Sequence, residues 1–265
     1  MKLFLSADME GTTGITTWDE TETGKRLYEH FARQMSSEVA AACEGAIAGG
    51  AESIVVKDAH DSACNIYPNM LPEQACILRS WARHPYSMMA GLDDSFDGVM
   101  FTGYHSAASM PTNPLSHTMN TKNNWVKING IICPELFINS LTAAYVGKPI
   151  YLVTGDKGLC EWMKGMNPNI PTVAVSEGMG AASLSIHPAL AVKKIREAAE
   201  KAMALDPKDL MFPMPEHFRV EINFRRHMDA LNGSNYPGCV QIDSTTVAFE
   251  SDDYMDVLKF FYWVL

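Results

Sequence analysis

The sequence predicts an α/β protein: a parallel or mixed sheet flanked by helices over residues 1–160, followed by a smaller α+β domain over 161–265. Three observations predict it. Short apolar runs recur as far as residue 176, the stretches between them carry helical periodicity, and that alternation is lost in the last third of the chain.

The runs are Lys2 to Ser6, Ser53 to Lys57, Gly98 to Thr102, Pro149 to Thr154 and Thr172 to Ser176. Their apolar residues are continuous rather than alternating, as in strands buried on both faces of a parallel sheet. Between the first two runs, Phe31, Met35, Val39, Cys43, Ala46 and Ile47 fall on one face of a helix that Gly49-Gly50 stops. Trp125 to Cys133 predicts a hairpin about Asn129-Gly130, a pair suited to a type I′ turn. Pro134 opens a helix running to about Val146, because its missing N–H would be unpaired in the first turn anyway. Pro188 to Leu205 follows as an amphipathic helix with Leu190, Ile195, Ala198, Ala202 and Met203 inward. A Pro-rich loop from Asp206 to Pro215, strands at His217 to Phe224 and Val240 to Glu250, and a helix from about Asp253 complete the chain.

Composition excludes several function classes. The formal charge is −10 and no basic run exceeds two residues, as at Arg225-Arg226, which argues against a nucleic-acid partner. No apolar stretch approaches the roughly 20 residues of a membrane span. Six irregularly spaced Cys without a C-x-x-C pair, and an apolar start limited to Leu3 to Leu5, predict a cytoplasmic protein with reduced thiols. A chain of 265 residues buries enough surface, about three quarters of it, to fold without disulfides.

Chemistry-bearing side chains gather where the runs end. Asp8 and Glu10 follow the first run, Asp58 and His60 the second, and His105 the third. The carboxyl ends of strands in an open parallel sheet form its ligand crevice, so three segments deliver metal-type ligands to one rim. Residues two apart in extended chain face the same way, so Asp8 pairs with Glu10 and Asp58 with His60. Glu135 enters on the first turn of its helix, where a carboxylate also suits the helix dipole, and His117 lies on a polar loop. His30, His84, His187, His217 and His227 have no such partners and read as structural or surface residues. Mixed carboxylates and imidazoles suit Zn²⁺ better than Mg²⁺ or Ca²⁺. Five ligands exceed the three of a single catalytic zinc, and Asp8 could bridge two ions sharing a hydroxide nucleophile, which is hydrolytic chemistry.

These residues lie in blocks that resemble the zinc-dependent D-aminopeptidase family encoded in bacterial dipeptide-transport operons. The blocks are DMEG at 8–11, GKR at 24–26, D-x-H at 58–60, GLDDSFDGVMFTGYHS at 91–106, LSHTMN at 115–120, ING followed by PE at 128–135, and TTVAF at 245–249. They keep their order across nearly the whole chain; the segment between Thr12 and Gly24 and the Pro111 to Pro114 loop depart from the pattern. The resemblance implies two zinc ions per chain held by Asp8, Glu10, His60, His105 and Glu135, with Asp8 bridging, and His117 as a further catalytic residue. It also implies removal of an N-terminal D-residue from short peptides or amino-acid amides, and a homodecamer of two stacked pentameric rings. The residues themselves leave D or L preference open. Asp58 is expected to orient a ligand rather than bind metal.

Two other readings compete. LFLSADMEGTTG resembles the D-x-D-G-T opening of haloacid-dehalogenase-type, Mg²⁺-dependent phosphatases, but the second acid is Glu10 and that reading leaves the histidines without a task. A non-catalytic metal-binding scaffold would keep the ligands without turnover.

Overall fold

The structure is a computed structural model that describes residues 1–265. The first half runs β1 (Lys2–Ala7), α1 (Tyr28–Ala48), β2 (Ser53–Asp58), β3 (Ala75–Leu78), β4 (Gly98–Tyr104), β5 (Asn123–Ile128), β6 (Ile131–Ile132) and α2 (Glu135–Tyr145). The second runs β7 (Ile150–Asp156), α3 (Lys157–Met166), β8 (Thr172–Met179), β9 (Ala182–Ser185), α4 (Pro188–Ala202), β10 (Phe218–Phe224), α5 (His227–Gly233), β11 (Val240–Gln241), β12 (Thr246–Ser251) and α6 (Tyr254–Val264).

All five predicted runs are strands of one sheet in the order β3-β2-β1-β4-β7-β8-β9. Every neighbouring pair is parallel except β8 with β9. The edge strands β3 and β9 are the two that the apolar runs did not announce; their side chains are half-buried or exposed, so they carry no continuous hydrophobic signal. On one face, Leu3, Leu5, Ile54, Val56 and Leu152 pack with Met35, Val39, Cys43 and Ala46 of α1 and with Ala191, Ile195 and Ala199 of α4. On the other, Phe4, Val99, Phe101 and Val153 share a core with α2 and with a second sheet.

That second sheet is antiparallel, β11-β12-β10-β5-β6. The hairpin β5-β6 turns at Asn129 and Gly130 with φ of 50° and 80°, the left-handed pair of a type I′ turn. It pairs with β10, almost a hundred residues on, in the register Val220↔Ile128 and Ile222↔Val126.

The sheets therefore do not part at residue 160, where the loss of alternation predicted a domain boundary. β8, β9 and α4 complete the first sheet and its helical face, while β5 and β6 belong with the C-terminal strands. Val99 and Phe101 also share one continuous core with Val220, Ile222, Phe249 and Phe260, so the two sheets are layers of one body. Periodicity reports which face of a strand is buried and not which distant strand it pairs with.

Candidate metal centre

The site forms at the carboxyl ends of β2, β1 and β4, adjacent strands in which Ala7 stands opposite both Asp58 and Thr102. The chain winds outward from β1 to β2 and β3 and then crosses back to the far side of β1, which makes this a switch point of the sheet, where a crevice opens. Backbone bonds carry the strand ends onward: Asp8 N–H donates to Thr102 O at 2.8 Å and Ala59 N–H to Ala7 O at 2.8 Å. Gly11 N–H donates to Gly103 O at 2.8 Å. A Cβ on Gly11 would stand 1.8 Å from Tyr104 O, and one on Gly103 (φ +67°) 2.2 Å from Asp8 O. Only glycine lets these two segments lie so close, and their contact sets Asp8 and Glu10 beside His105.

Six of the seven residues singled out in the sequence meet there, all but Asp58. His60 Nδ1 lies 3.4 Å from Asp8 Oδ1 and 3.0 Å from Glu10 Oε2. His105 Nε2 lies 3.5 Å from Asp8 Oδ2 and 3.7 Å from Glu135 Oε1. His117 Nε2 lies 3.5 Å from Glu135 Oε1 and 3.9 Å from Glu10 Oε1. Ligand atoms within 4.8 Å of one another form three overlapping groups: Asp8 with Glu10 and His60, Asp8 with His105 and Glu135, and Glu10 with His105 and His117.

The imidazoles are oriented from behind by backbone carbonyls. His60 Nε2 lies 2.9 Å from Thr21 O, His105 Nδ1 2.9 Å from Ser106 O, and His117 Nδ1 2.9 Å from Leu115 O. A carbonyl only accepts, so each of these nitrogens carries its proton outward, and in the neutral ring that binds metal the other nitrogen's lone pair faces the carboxylates. Asp8 Oδ2, Glu10 Oε2 and His105 Nε2 are buried yet have no hydrogen-bond partner. Buried polar atoms are rarely left so, and inward lone pairs beside orphaned carboxylate oxygens are what a metal-binding set looks like without its metal. Donor chemistry and geometry thus fit zinc.

Burial and mutual charge leave their mark on the metal-free groups. Burial, reinforced by Glu10, raises the Asp8 carboxyl to about 7. Burial works in the same sense on Glu10, but His60, His117 and His105 outweigh it and hold that carboxyl well below its usual range. At His105, burial opposes the charged ring, yet Glu135, Glu10 and Asp8 push it up to about 9. His60 is raised well above the ordinary imidazole value, since Glu10 and Asp8 overcome its burial.

Asp58 makes no contact with this set. Its Oδ2 accepts from Asn65 N–H at 2.5 Å and Ile66 N–H at 2.8 Å, and its Oδ1 from Asn65 Nδ2 at 2.9 Å. Asn65 Nδ2 also donates to His60 O at 2.7 Å, so Asp58 shapes the loop that presents His60. His117 stacks on His105 with ring centroids 4.4 Å apart, and Trp18 packs edge-on against it. It is the most accessible of the six, its side chain 14% exposed against 7% for His60 and 1% for His105.

The site opens into a cavity of about 650 Å³ that is also lined by Trp18, Trp81, Arg83, His84, Tyr262 and Trp263. None of these was singled out as functional in the sequence, and His84 read as structural. They come from loops and the end of α6 and carry no spacing signal; only the Trp content could have drawn attention to them.

A D-aminopeptidase family profile matches residues 1–263. A D-aminopeptidase of Bacillus subtilis (strain 168) is 31% identical over 263 residues, covering 98% of this chain and 94% of that one. A solved structure described as a Zn-dependent D-aminopeptidase, DppA from Bacillus subtilis, a self-compartmentalizing protease, matches with a TM-score of 0.91 and 29% identity, over 98% of this chain and 95% of that one. With a matching profile, a full-length relative and the same fold, the chain belongs to the D-aminopeptidase family of peptide-bond hydrolases.

Proposed function

We propose that this chain is a dinuclear zinc aminopeptidase that removes the N-terminal D-residue of short peptides or amino-acid amides. The ligands are Asp8, Glu10, His60, His105 and Glu135, and His117 is the catalytic residue. The observation that carries this reading is the position of Asp8, whose two oxygens belong to two different ligand groups. Zinc itself is supported by the mixed donor set and by the Zn-dependent relative.

Two zinc ions would supply Lewis acidity at the scissile carbonyl and a water acidic enough to serve as nucleophile near neutral pH. The chain's own residues do the rest. Thr21, Ser106 and Leu115 carbonyls fix the imidazole tautomers, and the buried carboxylates balance the ions' charge. His117 lines the cavity, where it accepts a proton or passes one to the leaving amine. Ala59, Met88 and Met119 in the wall exclude water and strengthen charge interactions there.

A ring assembly, ten chains in two pentamers, accompanies this reading. It is supported by the self-compartmentalizing relative and by exposed apolar residues: Met179 and Leu184 on β8-β9, and Met228 and Leu231 on α5. No helix is long and apolar enough to cross a membrane. A cytoplasmic location and short peptides as substrates complete the proposal. The phosphatase and scaffold alternatives draw no support from the family match.

The test is hydrolysis of paired D- and L-aminoacyl dipeptides by zinc-loaded protein, with metal measured on the same sample. Cleavage of the D-series at two zinc per chain is expected. Absence of cleavage, or activity saturating at one zinc, would overturn the reading.

A further inference from the structure

The cavity beside the metal centre carries an uneven set of charges. Besides Asp8, Glu10 and Glu135, its wall includes Glu22 and Asp61, and Arg83 is its single Lys or Arg side chain. Like most Lys and Arg side chains of the protein, Arg83 forms no ion pair, so its charge is free among the acids of this wall.

Arg83 stands on the loop that joins β3 to β4, and the loop is fixed from several sides. Ser80 N–H donates to Ala63 O at 2.7 Å, and Trp81 Nε1 donates to Asp61 O at 2.8 Å. From beneath, the buried Lys57 ammonium donates to Ser80 O at 3.1 Å and lies 4.5 Å from the centre of the Trp81 ring. Tyr86 N–H donates to His84 Nδ1 at 3.1 Å. Three non-glycine residues there, Ser80, Arg83 and Ser87, hold left-handed backbone with φ of 65°, 57° and 48°. Such strain persists where surrounding contacts over-determine the conformation, and it gathers at ligand sites. Arg83 is thus an exposed, unpaired cation carried by a fixed loop at the wall of a reaction cavity.

A guanidinium meets a planar carboxylate through two parallel hydrogen bonds. An aminopeptidase substrate has its amino end at the metals, and a cavity of about 650 Å³ leaves room for only a few residues at about 3.5 Å each. The free carboxylate of a short peptide therefore falls within the same enclosure as Arg83. We propose that Arg83 docks the substrate's α-carboxylate, so that di- and tripeptides with an unblocked C-terminus are preferred over amides of the same length. This rests on the aminopeptidase reading above and adds the substrate class.

The test compares zinc-loaded wild type, Arg83→Gln and Arg83→Lys on D-alanyl-glycine and D-alanyl-glycinamide. Arg83→Gln is expected to raise KM for the dipeptide about 10- to 100-fold, as for loss of a charge-assisted pair, with kcat changed less than about twofold and the amide's KM unmoved. Arg83→Lys should recover part of the dipeptide's KM. Equal effects on dipeptide and amide, or none on either, would overturn the role of Arg83. Failure of wild type to cleave both would instead remove the aminopeptidase reading. Calorimetric binding of D-alanyl-glycine then decides Arg83 separately, equal affinity in wild type and Arg83→Gln counting against it.

Discussion

His117 separates from the other five residues by exposure. Its ring lines the cavity and is the most exposed of the six, while its Nε2 stands 3.5 Å from Glu135 Oε1 and 3.9 Å from Glu10 Oε1. His117→Ala should therefore keep two zinc ions and lower kcat by about 100- to 10,000-fold, as for loss of a proton-transfer group. Zinc loss in that variant would make His117 a ligand, as its proximity to Glu10 and Glu135 also permits. The metal-free centre makes a second prediction. Asp8 (ordinarily 3.8) titrates near 7 and His105 (ordinarily 6.5) near 9, so the folded chain binds more protons than the unfolded one between about pH 4 and 9. The stabilisation from protonated His105 is complete below 6.5 and is lost as pH rises through 9. The cost of the buried Asp8 charge accumulates as pH rises from about 4 to 7 and is complete above that, so both groups have the same sign. The depressed Glu10 acts only below its ordinary 4.5, and Lys57, lowered to about 8 by burial, acts oppositely only above 8. Calorimetric Tm in chelator should fall from pH 6 to 8, while the gain on adding zinc widens. A metal-free Tm that rises over that interval would contradict this electrostatic account.

At the scale of elements, the site is a property of three strand ends and two glycines. Asp8, Glu10, His60 and His105 were legible in the sequence because buried parallel strands announce themselves as continuous apolar runs and a crevice lies where they stop. Glu135 and His117 were placed by chain order in family-like blocks, since a helix start and an irregular loop give no spacing that converges on a strand end. Gly11 entered the sequence reading only as part of the DMEG block; that it abuts Tyr104 O depends on packing between segments nearly a hundred residues apart. Gly11→Ala must push β1's loop off β4, at a cost of about 3 kcal/mol. Urea unfolding should show that loss together with weakened zinc binding; an unchanged midpoint would mean that the loop relaxes at no cost. The wall formed by Trp81, Arg83, His84 and Trp263 was illegible because left-handed loop residues and a helix end have no period to read.

For the whole molecule, the α/β class followed from the sequence while its partition did not. Pairing of β5 with β10 folds residues 123–132 into the C-terminal sheet and leaves the two sheets with a shared core. That arrangement places α2, which carries Glu135, against β4, which carries His105 at its end, so the metal centre sits where the two layers join. Part of the chain's net charge of −10 is concentrated there in Asp8, Glu10 and Glu135, which two dications would offset. The central claim is that Asp8 divides its oxygens between two metal positions, and anomalous diffraction at the zinc edge from zinc-loaded crystals tests it most directly. Two peaks are expected on either side of the Asp8 carboxylate, one against Glu10 and His60 and the other against His105 and Glu135. A single peak, or a second one that does not touch Asp8, would contradict the account.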